Sequence, residues 1–261
     1  MKIIINIIII VIVMYLIYYI YENYFKLNQK FYDHNTLYPE LNNIKIYKNE
    51  IMNELININD NWVNWPETGL YSQFQEKNIT YNKNKNTWTI VPLYAFGTWC
   101  NEECDKLPSI HKFLKTLPNL KTAILSKMKP KTKLRPHEGW GFHSNNVLRC
   151  HFGLILPSNE DESYIAIKDN YKVPDENDMK QTHKLHDWIV FDDSKIHYAV
   201  NNSDMERIVL ILDLDRPYNV KKGVTNQGST KELEDIIIAF KSRNLNISNN
   251  LPKEYLNVIN N

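Results

Sequence analysis

The chain has 261 residues, 43% of them hydrophobic, and its 31 Lys and Arg nearly balance its 30 Asp and Glu, leaving a formal charge of +1. That length and apolar content suit one large domain with appendages and exclude disorder over most of the chain. Near-neutrality without a long basic stripe argues against binding a phosphate backbone, and the 7 glycines form neither GxGxxG nor GxxxxGK, which excludes glycine-loop nucleotide sites.

From Ile3 to Tyr21 the residues IIINIIIIVIVMYLIYYIY are interrupted only by Asn6. As a helix this run crosses the roughly 30 Å hydrocarbon layer. Tyr18, Tyr19, Tyr21 and Tyr24 close it as an interfacial belt. A cleaved signal peptide has a shorter apolar region and a small-x-small site, so residues 1–24 are predicted to be a transmembrane anchor. Lys2 on one side and Lys26 and Lys30 on the other do not decide its orientation.

Residues 25–84 are predicted to be a stalk, polar and aromatic without clear period as far as Pro39, followed by a helix over Leu41–Ile58, where Ile44, Ile46, Ile51, Leu55 and Ile58 recur at near-helical spacing. The texture then changes to short runs rich in β-branched and aromatic residues. These are Trp88–Phe96, Leu120–Met128, Val147–Leu156, Tyr164–Ile167, Leu185–Phe191, His197–Val200 and Arg207–Leu214. They predict a mainly β sandwich or barrel over residues 85–220. Residues 221–261 form an extension with an amphipathic helix at Lys231–Arg243.

Two of the 8 histidines stand at predicted strand ends, in Arg135-Pro136-His137-Glu138-Gly139 and in Asp192-Asp193-Ser194-Lys195-Ile196-His197. Arg207 opens an apolar strand, where an inward guanidinium is costly unless an anion meets it. Arg149 and His151 share one strand face by the period of two. His143, His183 and His186 read as ordinary core or surface histidines without a role, and Trp88, Trp99 and Trp188 as core.

These residues resemble the aspartyl/asparaginyl β-hydroxylases among the Fe(II)- and 2-oxoglutarate-dependent dioxygenases. The resemblance lies in Pro136-His137-Glu138-Gly139, Leu148-Arg149-Cys150-His151-Phe152-Gly153-Leu154, Phe191-Asp192-Asp193-Ser194 to His197, and Arg207-Ile208-Val209-Leu210-Ile211-Leu212-Asp213. It covers residues 85–220, with the loop Trp140–Asn146 longer than that family's pattern. It implies a double-stranded β-helix, the jelly roll of cupins, with iron at its mouth and O2 and 2-oxoglutarate as cosubstrates. His137 and His197 are the implied iron ligands. Most such oxygenases place a third ligand, an acid, two residues after the first histidine. Gly139 stands there, as in the β-hydroxylases, so a two-histidine site completed by water is expected, and Glu138 points away on a strand.

Carried over, Arg207 is the bidentate partner of the distal carboxylate of 2-oxoglutarate, and Ser126 hydrogen-bonds the same group. Arg149 and His151 hold the iron-chelating end of the cosubstrate or an acidic group of the substrate. Asp193 is placed as support for the metal site. The implied reaction is hydroxylation of an Asp or Asn side chain at the β-carbon in a protein or peptide. Relatives of the domain also hydroxylate acyl chains of membrane lipids, and a non-catalytic barrel binding a carboxylate is a third reading. The expected partners are that substrate and, through the N-terminal helix, a lipid bilayer, with no nucleic acid.

Cys100 and Cys104 lie in a predicted loop where these enzymes often carry a cysteine pair, so a local disulfide is one option. A C-x3-C pair without a second half is no zinc site. Asn78, Asn201 and Asn246 begin Asn-x-Ser/Thr sequons usable in a lumen. The resemblance implies a catalytic domain in the endoplasmic reticulum or a connected compartment.

Overall fold

The computed structural model describes residues 2–58, 61–65, 67, 87–95, 97–171 and 177–242. Helix α1 (Lys2–Ile20) runs into a π-helical turn at Tyr21–Phe25. Together Ile3–Phe25 make a predominantly apolar stretch of 23 residues, long enough to cross a membrane, with none of it buried against the protein. Helix is the form such a run must take in hydrocarbon, because only there are its backbone groups bonded within the segment.

The rest is built on two antiparallel sheets. Their strands are β1 (Phe31–Tyr32), β2 (Val63–Asn64), β3 (Trp88–Ala95), β4 (Thr98–Trp99), β5 (Leu120–Met128), β6 (Thr132–Lys133), β7 (Val147–Ile155), β8 (Ser163–Ile167), β9 (Met179–Thr182), β10 (Trp188–Phe191), β11 (His197–Asn201) and β12 (Arg207–Asp215). The 8-stranded sheet runs β1-β10-β7-β12-β5-β3-β2 with β4 on β3, and the 4-stranded sheet runs β6-β11-β8-β9. From β5 to β12 the chain passes repeatedly between the sheets, which is the winding of a jelly roll, a double-stranded β-helix. The fold expected from the sequence is therefore the fold observed.

The period of two divides each strand between two cores. Leu125 of β5, Cys150 and Phe152 of β7 and Leu210 and Leu212 of β12 face outward and are buried. They are covered by Leu41 and Ile44 of a 3-10 stretch (Pro39–Tyr47), by Ile51 of α3 (Lys48–Glu54), and by Ile110 and Phe113 of α5 (Pro108–Leu114). The inward residues Trp88, Ile90, Met128, Ile165, Ile167, Ile189 and Phe191 fill the barrel. Truncating a side chain such as Phe113, which is fully buried, costs about 3–5 kcal/mol.

Several details depart from the sequence reading. The stalk is partly folded into the domain: β1 pairs with β10 at the sheet edge, and the Asp33 carboxylate accepts from Asn35 N at 3.0 Å to cap α2 (His34–Leu37). The 41–58 helix is three consecutive pieces, 3-10 at Pro39–Tyr47, α3, and 3-10 at Leu55–Ile58. The strand expected from Leu185 begins at Trp188, because His186 takes φ 58° in a turn and its N–H donates to Gly153 O. The loop after Trp140 holds a short helix α6 (Gly141–Ser144). The closing helix α7 spans Lys231–Ser242.

No bond joins Cys100 to Cys104. They stand one turn apart, Cys100 at the N-cap of α4 (Asn101–Lys106). The Cys104 thiol donates to Leu93 O, and burial pushes its pKa up to about 12. The sequon at Asn201 is closed to glycosylation in the folded chain, since its side chain is buried and donates to Met128 O, Lys129 O and Met205 O. Asn78 and Asn246 lie outside the described residues.

Candidate active site

His137 follows β6 and His197 opens β11, and the two backbones form an antiparallel bridge with reciprocal N–H···O bonds of 2.9 and 2.8 Å. That pairing sets the imidazoles side by side, ring centroids 4.3 Å apart. His137 Nδ1 lies 2.7 Å from Arg135 O and His197 Nδ1 lies 2.8 Å from Lys195 O. A carbonyl only accepts, so each Nδ1 carries the proton and each Nε2 keeps a lone pair. Burial lowers the pKa of His137 to about 3 and of His197 to about 4, so both rings are neutral near pH 7. The result is a pair of oriented nitrogen donors, which is what a divalent transition metal requires. Among the described residues no cluster of three or more His, Cys, Asp or Glu has a metal-holding arrangement.

Asp193 stands beside the pair, its Oδ1 3.4 Å from His197 Nε2. Gly139 N donates to Asp193 O at 2.9 Å, and a Cβ at position 139 would overlap Asp193 Oδ2 and lie 2.8 Å from Ser144 Cβ. The glycine is thus required by close approach: Asp193 occupies the space that a side chain two residues after His137 would need. Glu138 lines the cavity next to His137 and accepts from Thr225 Oγ1. Burial raises the Asp193 carboxyl above its ordinary range, with Arg149 opposing and Asp213 adding to the shift.

Arg149 lies on the inner face of β7 and is held by two acids. Its Nε and Nη2 donate to Asp213 at 2.8 and 3.0 Å, and its Nη1 meets Asp193 Oδ1 at 2.6 Å. His143 Nε2 adds a 2.9 Å contact to Asp213. Burial alone would raise the Asp213 carboxyl; Arg149 and His143 hold it well below the usual range instead.

Deeper in the barrel the inner face of β12 carries Arg207, Val209, Ile211 and Asp213, with Ser126 opposite Val209 on β5 and His151 opposite Ile211 on β7. Arg207 is 1% exposed, and its Nε and Nη1 have no hydrogen-bond partner. Burial lowers its pKa to about 9. His151 Nε2 is likewise buried without a partner. Its Nδ1 lies 3.2 Å from His183 Nε2, and His183 Nδ1 lies 3.0 Å from Ser163 Oγ. Trp88 Nε1 donates to Ser126 Oγ at 2.9 Å, which leaves the hydroxyl proton to point elsewhere. A buried guanidinium with two unpartnered nitrogens beside a serine hydroxyl and an imidazole is a cradle for a small carboxylate.

Above these groups opens a cavity of about 420 Å³. His137, Asp193, Arg149 and Asp213 line it together with the apolar side chains of Trp65, Trp88, Ile90, Tyr94, Ile124 and Leu233. The carboxylates of Glu67, Glu138, Asp193 and Asp213 outnumber the guanidinium groups of Arg135 and Arg149. Arg149 is held by two of those acids, and Arg135 is itself engaged.

The family model described as Aspartyl/Asparaginyl beta-hydroxylase matches residues 48–217, more than half of the chain. The chain belongs to that family. The chain is also similar to the ornithine lipid ester-linked acyl 2-hydroxylase of Rhizobium tropici, 31% identical over 130 residues, which is 50% of this chain and 42% of the relative. It thus spans less than half of that relative's length. Among solved structures it is similar to a Pseudomonas putida prolyl-4-hydroxylase (TM-score 0.39, 9% identity, 69% of this chain and 87% of that one). A 2OG-Fe(II) oxygenase family oxidoreductase from Burkholderia pseudomallei is also similar (TM-score 0.36, 9% identity, 55% and 73%).

The structure of this β-hydroxylase family member brings together His137, His197, Arg149 and Asp193 at the mouth and Ser126, His151 and Arg207 beneath. Sequence reasoning missed His143 and His183, set aside as ordinary, and Asp213, which had no role. Asp213 was legible in principle: two residues after Ile211 it shares the face of Arg207 and Arg149. His143 sits in the inserted loop, and no sequence periodicity places it.

Proposed function

We propose that the chain is a membrane-anchored Fe(II)/2-oxoglutarate-dependent hydroxylase acting on the acyl chain of a membrane lipid. The observation that carries the cosubstrate assignment is Arg207, buried beside Ser126 and His151 with its Nε and Nη1 left without a hydrogen-bond partner. His137 and His197 are the residues that would hold iron, through the Nε2 atoms their carbonyl bonds leave available. Arg207 would grip the distal carboxylate of 2-oxoglutarate as a bidentate fork, with the Ser126 hydroxyl donating to it and His151 facing the same ligand. The bound iron and cosubstrate supply the chemistry by which O2 oxidises a substrate carbon. The protein's own work is orientation and exclusion of water. Arg149, itself held by Asp213, fixes Asp193 beside His197, and the aromatic walls limit the water that reaches the site.

The walls and charges of the cavity favour an apolar substrate. An incoming aspartate would meet four carboxylates and no uncommitted guanidinium, whereas an acyl chain buries against Trp65, Trp88 and Tyr94 at about 25 cal/mol per Å². The helix Ile3–Phe25 holds the domain where such chains are. The acyl-hydroxylase relative acts on the same class of substrate. A second reading, hydroxylation of an Asp or Asn side chain in a protein, draws its support from the family itself. Lumenal placement of the domain belongs to that second reading, and it loses the Asn201 sequon as support.

The test is 2-oxoglutarate-to-succinate conversion by the Fe(II)-loaded full chain in lipid vesicles, with and without acidic peptides, together with mass spectrometry of the lipids. Lipid-stimulated turnover and a lipid heavier by one oxygen atom are expected. Turnover stimulated only by peptide would transfer the assignment to the second reading, and iron binding without any succinate would sink both.

A further inference from the structure

The cavity mouth and the root of the anchor are tied together by one strap of chain, and we infer that this strap, Tyr218–Thr230, is a membrane-contact surface that seats the mouth on the bilayer. The inference rests on the anchor proposed above and adds a second contact to it. The apolar span ends at Phe25. Leu27, two residues on, is already bonded into the domain: its N–H donates to Asn219 O at 2.8 Å and its carbonyl accepts from Lys221 N at 2.8 Å. No flexible linker separates membrane from barrel, so the residues around Val220 stand at the interface.

From there the strap runs directly to the rim. Gly223 N donates to Asn145 O, and Thr225 exchanges bonds with the Asn145 side chain at 3.0 and 2.9 Å. The Thr225 hydroxyl bonds Glu138, and Gln227 O accepts from Gly141 N at 2.8 Å. Gln227, Gly228 and Thr230 then line the cavity. At 3.3–3.6 Å per residue the path from Val220 to Gln227 is at most about 25 Å.

The strap's exposed surface suits this contact. Tyr218 is 83% and Val224 76% exposed, and Lys221 and Lys222 stand between them. A tyrosine and a valine projecting beside two lysines fit an interface whose headgroups are anionic. A bilayer is favoured over a protein partner because the span fixes one end of the strap in it. An acyl chain then enters the cavity sideways from the membrane without crossing water.

The experiment uses the full chain in vesicles of phosphatidylcholine with and without phosphatidylglycerol, labelled with a fluorophore at Tyr218→Cys, Val224→Cys or Met205→Cys. The native cysteines are buried. Met205, 52% exposed, precedes β12 and so lies roughly 30 Å along the barrel from Tyr218. Brominated lipid is expected to quench the labels at 218 and 224 several-fold more than the label at 205. Lys221→Glu with Lys222→Glu should shrink that difference most in the phosphatidylglycerol vesicles. Chains that float with vesicles but show equal, water-like quenching at all positions overturn the inference alone. Chains that fail to float overturn the anchor and the inference with it.

Discussion

Replacing Arg207 by methionine separates stability from ligand binding. Burial lowers the guanidinium from 12.5 to about 9, a difference of about 5 kcal/mol held against folding at neutral pH. The sign follows from the charge. A base whose folded pKa is depressed destabilises the fold below that pKa, and the penalty is relieved only as pH rises above about 9. Methionine keeps most of the stem's packing and removes the charge, so the ligand-free Arg207→Met protein is expected to gain about 1–4 kcal/mol, the range seen when buried ionic groups give way to apolar ones. For a domain of this size that raises Tm by roughly 2–16 °C. Binding of 2-oxoglutarate should weaken by about 2–5 kcal/mol, from about 30-fold to several thousand-fold, because the ligand's carboxylate loses its charged partner. Thermal denaturation with and without 2-oxoglutarate measures both effects. The wild-type Tm rises with ligand, while the variant's starts higher and stays fixed. A variant that is less stable and keeps the ligand-induced rise would refute the account of Arg207 as an anion receptor.

His137→Ala and His197→Ala should each lower turnover by about two orders of magnitude or more while leaving the fold intact, and Co(II) absorption spectra report the lost nitrogen donor. Gly139→Ala forces a Cβ onto the Asp193 carboxylate, so a loss of about 1–3 kcal/mol in urea denaturation is expected, together with weaker metal binding; a neutral substitution would contradict the close approach. Burial holds His137, His197, His151 and His183 below the 6.5 of a free imidazole. The unfolded chain then takes up protons that the folded one does not, so stability is complete above about pH 6.5 and falls as pH drops toward about 5, by about 1.4 kcal/mol per unit for each histidine. A stability profile flat across that window would show that these rings are not buried in the neutral form.

The architecture was legible because it rests on period and composition. Short apolar, β-branched runs such as Leu120–Met128 and Arg207–Leu214 match β5 and β12 almost end to end, since a strand between two packed layers has one face for each core. The anchor helix followed from the length of an unbroken apolar run alone. His137, His197 and Arg207 were legible as residue types at strand ends, where a histidine or arginine has little other reason to stand. What tertiary structure decided is which of these groups are spoken for. Arg149 reads as a ligand-binding cation, yet Asp193 from the turn after β10 and Asp213 from β12 arrive to engage it. His183 reads as an ordinary core or surface histidine without a role, yet the pairing of β9 with β8 stacks it on His151. Gly139 reads as a missing ligand, and only the folded chain shows that Asp193 fills its space. Sequence sets the chemistry available at each position through local pattern, whereas pairing of charges and exclusion of volume depend on contacts between residues far apart in the chain. Those contacts exist only once the two sheets have closed.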